Sequence, residues 1–308
     1  MRARPCDRSR IIAWCLLLAP GLLAGCISSS RQLLDQAEAS WRKGRYYEAI
    51  QADEDLYRLE RRGRYAPRAL LNIGNIYYLN LRKIPQAIEF YDRLTQEFPD
   101  RPEALRARRQ LASIYANEFI DLDQAIAQYD KLLAAESLDD RPEILFQRAN
   151  AYFKKGDYDR ALRELHGLEE SGIKDQLAAQ VSLKIGNIYQ VQKRFHDAIE
   201  PFRKVLSASC AECSESRRRA ILNLAETYEN LFDFDNAIET IRKLDETPEN
   251  ERYLRSEVER LSRKRKEVEK GRAADWDRPR VNPGATGTPR APVRQPETPP
   301  NKKENFGL

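Results

Sequence analysis

Between residues 31 and 270, apolar residues recur three or four positions apart, with charged and amide residues between them. That spacing gathers the apolar side chains on one stripe of an α-helix and leaves the other face to solvent. The clearest stretch is RPEILFQRANAYFKKGDYDRALRELHGLEESG, residues 141–172. Leu145, Ala149 and Tyr152 mark one helix, Gly156 interrupts it, and Tyr158 and Ala161 open a second. The pattern predicts two helices joined by a tight turn.

The pair is one of a series. NIGNIYYL at 72–79 returns as KIGNIYQV at 184–191. Gly74, Ala112, Ala149, Gly186 and Ala225 are each followed three positions later by a tyrosine: Tyr77, Tyr115, Tyr152, Tyr189 and Tyr228. Ala49, Ala87, Ala125, Ala161, Ala198 and Ala237 each begin "AI" or "AL", at separations of 38, 38, 36, 37 and 39 residues. The small residues predict close approach of two helices, with the tyrosines filling the space beside them. One helical pair cannot bury its own apolar stripe, so pairs of this kind stack on their neighbours. The end of the stack needs a cap with a polar outer side, and Leu254, Val258, Leu261 and Val268 draw one apolar face on residues 251–271.

These residues resemble the tetratricopeptide repeat over roughly 31–250, in six copies. The usual period of that repeat is about 34 residues, and the excess here is expected in longer loops. The first copy is weaker: it keeps KGRYYEAI at 43–50 but has Ser40 where tyrosine is expected. The resemblance implies an all-α, right-handed superhelical solenoid of six helix-turn-helix repeats, closed by the capping helix. It also implies that the first helix of each repeat lines a concave groove. In the family register the groove-facing residues are Asn75, Tyr78, Phe146, Asn150, Phe153, Asn187 and Gln190. The asparagine amides would hold the backbone of an extended peptide, and the aromatic rings would form apolar pockets. The alternative is that these side chains serve only contacts between repeats. The chaperone-binding carboxylate clamp of some members needs lysine where Leu71 and Phe146 stand.

Two segments fall outside the repeating pattern. Residues 1–10 carry Arg2, Arg4, Arg8 and Arg10 against Asp7, and Ile11 to Ala24 carry no charge. That apolar run is shorter than the roughly 20 residues a membrane-crossing helix needs. It reads as a secretory signal peptide, residues 1–25. Leu23-Ala24-Gly25-Cys26 resembles the lipobox of bacterial lipoproteins. The resemblance implies a diacylglycerol on Cys26, cleavage before it and acylation, palmitate among the chains, at the new N-terminus. Two or three acyl chains hold a protein on a membrane where one does not. Ile27 rather than aspartate after the cysteine points, by enterobacterial sorting rules, to the periplasmic side of the outer membrane. Residues 26–30 then read as a flexible tether. At the other end, residues 279–300 hold seven prolines and almost no large apolar residue. The segment 272–308 is expected to be disordered.

Charge narrows the partners. Residues 26–250 hold 34 basic and 38 acidic residues, whereas 251–308 hold 15 and 9. A nucleic-acid-binding body would carry a strong basic field, so no nucleic acid is expected. The run Arg263-Lys264-Arg265-Lys266 reads first as a solvated face near a helix C-terminus, and second as a contact for lipid headgroups or an acidic partner.

Candidate chemistry is sparse. The chain has two histidines, His166 and His196, neither beside a cysteine, histidine or carboxylate pair of catalytic or metal-binding spacing. No glycine-rich phosphate loop, zinc-protease motif or nucleophile elbow is present in the sequence. Catalysis, a cofactor, a bound metal and a small-molecule substrate are therefore not expected. Cys210-Ala-Glu-Cys213 lacks the second pair a structural zinc site requires and the context of a redox motif. In an oxidising compartment a local disulfide is the expected state.

The sequence thus points to a lipid-tethered scaffold that docks proteins of the bacterial envelope, in the assembly of an outer-membrane complex. The β-barrel assembly machine's lipoprotein and the pilotin lipoproteins of secretins share this outline. The alternative is a protein of the cell wall, peptidoglycan-associated, in the manner of the Tol-Pal coordinator.

Overall fold

The computed structural model describes residues 29–135, 138, 140–244 and 248–276. Cys26 and the proline-rich tail from residue 277 lie outside them. Helices pair in chain order. Repeat one is α1 (29–42) with α2 (Tyr46–Leu59). Repeat two is α3 (Ala66–Asn75) with α4 (Ile84–Glu97), and repeat three is α5 (Pro102–Ile114) with α6 (Leu122–Leu133). Repeat four is α7 (Arg141–Lys155) with α8 (Tyr158–Glu170), and repeat five is α9 (Asp175–Val191) with α10 (Phe195–Ser207). Repeat six is α11 (Ser214–Asn230) with α12 (Phe234–Ile241), and α13 (Pro248–Trp276) follows. The expected six pairs and closing helix are all there, with no strand among the described residues.

Local chemistry sets the breaks between helices. Asp121, Asp157 and Asp233 accept backbone hydrogen bonds from Gln124, Arg160 and Asn236 at 3.1, 3.2 and 3.2 Å, capping the second helices of repeats three, four and six. In all six repeats one residue between the paired helices is left-handed: Gly44, Arg82, Ile120, Gly156, Lys193 and Phe232. Only two are glycine. A side chain there costs roughly 1–2 kcal/mol, so the stack holds four turns that local propensity alone would not choose.

Three expectations are corrected. First, the tyrosines do not fill the space beside the small residues. A Cβ on Gly74 would stand 2.5 Å from the ring of Tyr91, and one on Gly186 would stand 2.5 Å from Phe202. Both rings come from the second helix of the same repeat and are fully buried. Tyr77 instead stacks on Phe90, with ring centres 5.7 Å apart. Helical geometry explains this. The small residue marks the helix crossing, and a residue three positions on has moved toward the turn.

Second, the excess over the family period is not all in loops. α3 and α5 continue as π-helical turns, Ile76–Asn80 and Tyr115–Phe119. Thirteen positions separate Gly74 from Ala87 and Ala112 from Ala125, against twelve from Ala149 to Ala161. The extra residue is absorbed inside the helix as a bulge.

Third, two boundaries move. Ser29 and Ser30, read as tether, are helical, and Ser30 is fully buried. The capping helix begins three residues before 251 and runs five beyond 271. Proline is favoured in a helix's first turn, and the following Glu, Arg and Lys residues are good helix formers.

The apolar core runs along the stack as a chain of clusters. One joins Ala49 and Ile50 of α2 to Leu111 and Ile114 of α5. The next runs from Ala112 to Ile188. A third ties Phe202, Leu224 and Phe234 to Leu261 of α13. Three pairs of successive first helices touch directly: α3 meets α5, α7 meets α9, and α9 meets α11. Successive second helices make little or no such contact. Elements that lie closer together are on the inside of a curve, so the first helices line the concave side. No helix among the described residues is long and apolar enough to cross a membrane.

Candidate functional site

The concave surface is built from the exposed stripe of each first helix. Its side chains divide into those already engaged and those with unused bonding capacity. Phe146 is buried in the core shared by repeats three to five. Asn187 Oδ1 accepts from Asn223 Nδ2 at 2.7 Å, and Gln190 Nε2 donates to the Asn223 carbonyl at 2.9 Å. Both bonds join α9 to α11. Asn75 Oδ1 accepts the Tyr91 hydroxyl hydrogen bond at 2.8 Å. These four residues hold the stack together.

Tyr78, Asn150 and Phe153 keep more freedom. Tyr78 is half-buried, with the Arg82 guanidinium 5.9 Å above its ring and its hydroxyl 3.5 Å from Glu118 Oε1. Asn150 is half-buried, and its Oδ1 is buried with no hydrogen-bond partner in the protein. The Phe153 ring lies 5.9 Å from that of Tyr158, and the Lys184 ammonium stands 4.7 Å from its centre.

A recess of about 300 Å³ opens on the concave side between α3 and α5. Arg68, Asn72, Asn75, Arg106, Arg109 and Glu103 line it. Its charges are largely balanced: Arg68 pairs with Glu38 at 2.7 Å and Arg109 with Asp140 at 2.5 Å. Asn72 Nδ2 is buried and unpaired at its edge. A wider recess of about 510 Å³ lies outside the groove, between the α8–α9 and α10–α11 connections.

The cysteine pair is joined, as expected. Cys210 and Cys213 form a disulfide across the 3-10 turn that precedes α11, with Cys213 fully buried. His166 accepts or donates within 3.2 Å of both Glu169 and the Tyr189 hydroxyl, a packing role inside repeats four and five. Among the described residues no cluster of three or more His, Cys, Asp or Glu has the geometry to hold a metal ion.

Sequence reasoning missed Lys184. It stands two positions before Gly186, the place held by Asn72 before Gly74 and by Asn223 before Ala225. Asn223 shows where that place points: across to the preceding first helix. Burial holds the Lys184 amine below the usual lysine range, and Lys154 and Arg219 push it the same way. The family register alone would have marked the position.

Three family models described as tetratricopeptide repeat match residues 68–101, 120–166 with 146–215, and 219–250, together more than half of the chain. No curated protein matches the sequence. A tetratricopeptide repeat protein from Parabacteroides merdae superposes with a TM-score of 0.55 at 19% identity, over 78% of this chain and 89% of that one. PilF from Pseudomonas aeruginosa superposes with a TM-score of 0.50 at 10% identity, over 71% and 92%. PilW, described as a widely conserved type IV pilus biogenesis factor, gives 0.49 at 16% identity, over 70% and 91%. At these identities the likeness concerns the fold.

Proposed function

The chain belongs to the tetratricopeptide repeat family and is a scaffold for protein–protein interaction; from that premise we propose that it works on the bacterial envelope, anchored by lipid through Cys26. Partners lie along the concave groove, and the anchored scaffold serves assembly of an outer-membrane complex from the periplasmic side. The observation that carries this reading is a pairing of two features. A lipobox-like LAGC closes an apolar leader, and the described chain that follows is a row of first helices with Tyr78, Asn150 and Phe153 half-buried along it.

Two experiments test the two halves. Cys26→Ser is expected to move the protein from the membrane fraction to the soluble one, because the acyl chains supply nearly all the membrane affinity. A variant that still sediments with vesicles would contradict the anchor. Crosslinking in intact cells followed by capture of the full chain is expected to recover envelope proteins. Recovery of murein alone would favour the cell-wall reading instead.

A further inference from the structure

The chain from 26 to 250 is net acidic, yet at one place in the groove three cations come together with only one of them paired to a carboxylate. Lys184 is half-buried and makes no hydrogen bond or ion pair among the described residues, and its Nζ keeps access to solvent. Its ammonium rests on the Phe153 ring of the preceding repeat. Lys154, at the end of α7, donates to Asn117 Oδ1 at 2.8 Å and to the Ala116 carbonyl at 3.2 Å, both neutral. Arg219, on α11, is the third cation of the group and is paired with Glu215 at 2.7 Å on its own helix. Three first helices therefore each contribute a cation here, of which Arg219 alone is paired with a carboxylate.

Packing does not require this. At the equivalent place in repeat six, Asn223 closes the gap between first helices with neutral hydrogen bonds. The Phe153 ring beneath the ammonium favours a cation there but supplies no counter-charge. The side of the Lys184 ammonium away from Phe153 is left without a protein counter-charge.

Resting on the docking reading, we infer that Lys184, with Lys154 and Arg219 around it, anchors an acidic side chain of an extended protein segment lying in the groove. The segment's carboxylate meets the Lys184 ammonium, and its neighbouring apolar atoms lie against the exposed part of Phe153. Acidic segments are thereby selected over neutral ones of the same shape.

The test uses the purified full chain and two fluorescent decapeptides, one alternating glutamate with alanine and one alternating glutamine with alanine, read by anisotropy. The glutamate peptide is expected to bind about tenfold or more tightly than the glutamine peptide. Lys184→Met, which keeps the stem on Phe153, is expected to remove that preference. Lys266→Met, on the exposed side of α13, is expected to leave it intact, which separates a local anchor from general charge. Equal binding of the two peptides, or an unchanged preference in Lys184→Met, would overturn the inference. So would displacement of the glutamate peptide by inorganic phosphate at matched concentration, which would assign the site to a small free anion. Cell crosslinking with Lys184→Met separates this failure from failure of the docking reading. Undiminished recovery of partners leaves docking standing and removes the anchor, whereas no partner with either protein removes docking itself.

Discussion

The two ends of the solenoid each turn on one carboxylate, and the two are handled in opposite ways. In repeat one, Asp53 occupies the position four residues after Ala49. Repeats two to six place Tyr91, Tyr129, Leu165, Phe202 and Ile241 there. Asp53 is 1% exposed, and neither of its oxygens makes a hydrogen bond of proper geometry. Burial pushes its pKa up to about 8; Asn72 and Arg68 pull the other way without offsetting it. At the other end Glu229 lies between α11 and α13, taking hydrogen bonds from Arg260 at 2.5 and 2.6 Å and from Lys264 at 2.6 Å. Those bonds, Arg260's first, pull its pKa down to about 2. An end of a stack can be closed by a charge only where counter-charges come with it. A carboxylate placed where the other repeats carry an apolar side chain or a buried ring weakens the end it belongs to.

The opposite shifts give opposite pH dependences. Asp53 is easier to protonate folded than unfolded. Its end is therefore at full strength below about pH 4 and loses stability as pH rises toward about 8. Glu229 is harder to protonate folded. The capping contact is at full strength above about pH 4.5 and weakens as pH falls toward about 2. Hydrogen exchange on α1 and α2 should accelerate with alkali beyond the intrinsic rate, and that on α13 with acid.

The largest effect is expected from Asp53→Leu. It should stabilise repeat one by roughly 2–4 kcal/mol near pH 8 and by far less near pH 4. Urea unfolding read by hydrogen exchange of α2 measures both values, and an equal gain at both pH values would show that the buried charge is not the cause. Next is Gly186→Ala, remote from both ends. Overpacking against Phe202 costs about 1–3 kcal/mol and the better helix propensity returns up to about 1. A net loss of about 1–2 kcal/mol in repeat five is expected, and no loss would mean that Phe202 moves aside freely. Glu229→Gln should loosen α13 by about 1 kcal/mol, the Arg260 side chain being partly exposed. It should also flatten the acid dependence of α13 exchange. The smallest effect is expected from Phe232→Gly. It relieves a left-handed turn in the last repeat, at the place that repeat one fills with Gly44, and should gain about 0.5 kcal/mol in thermal unfolding.

How far the sequence foretells this molecule depends on what kind of contact is asked about. The six pairs are legible because Ala49 and its five successors, and Gly74 and its four, recur at nearly fixed spacing. The π-helical turns are legible in the same marks, as thirteen positions in place of twelve. Which ring faces Gly74 is not, because Tyr77 and Tyr91 are both plausible until the helices cross. The anomaly at Asp53 shows once the register is drawn, but its lack of a partner depends on where Asn72 and Arg68 end up. Within the groove, the family register names the surface without saying which members are consumed in packing. Asn187 and Asn150 are equivalent in sequence, yet only Asn187 finds a neighbour with which to pair.

The central claim is that partners lie along the inner face of the first helices. A photoreactive amino acid placed at Gln147, exposed on α7, and separately at Arg163, exposed on α8, probes the two faces of one repeat. Illumination of cells carrying the full chain is expected to give protein adducts from Gln147 and none from Arg163. Adducts from Arg163 alone would contradict the account.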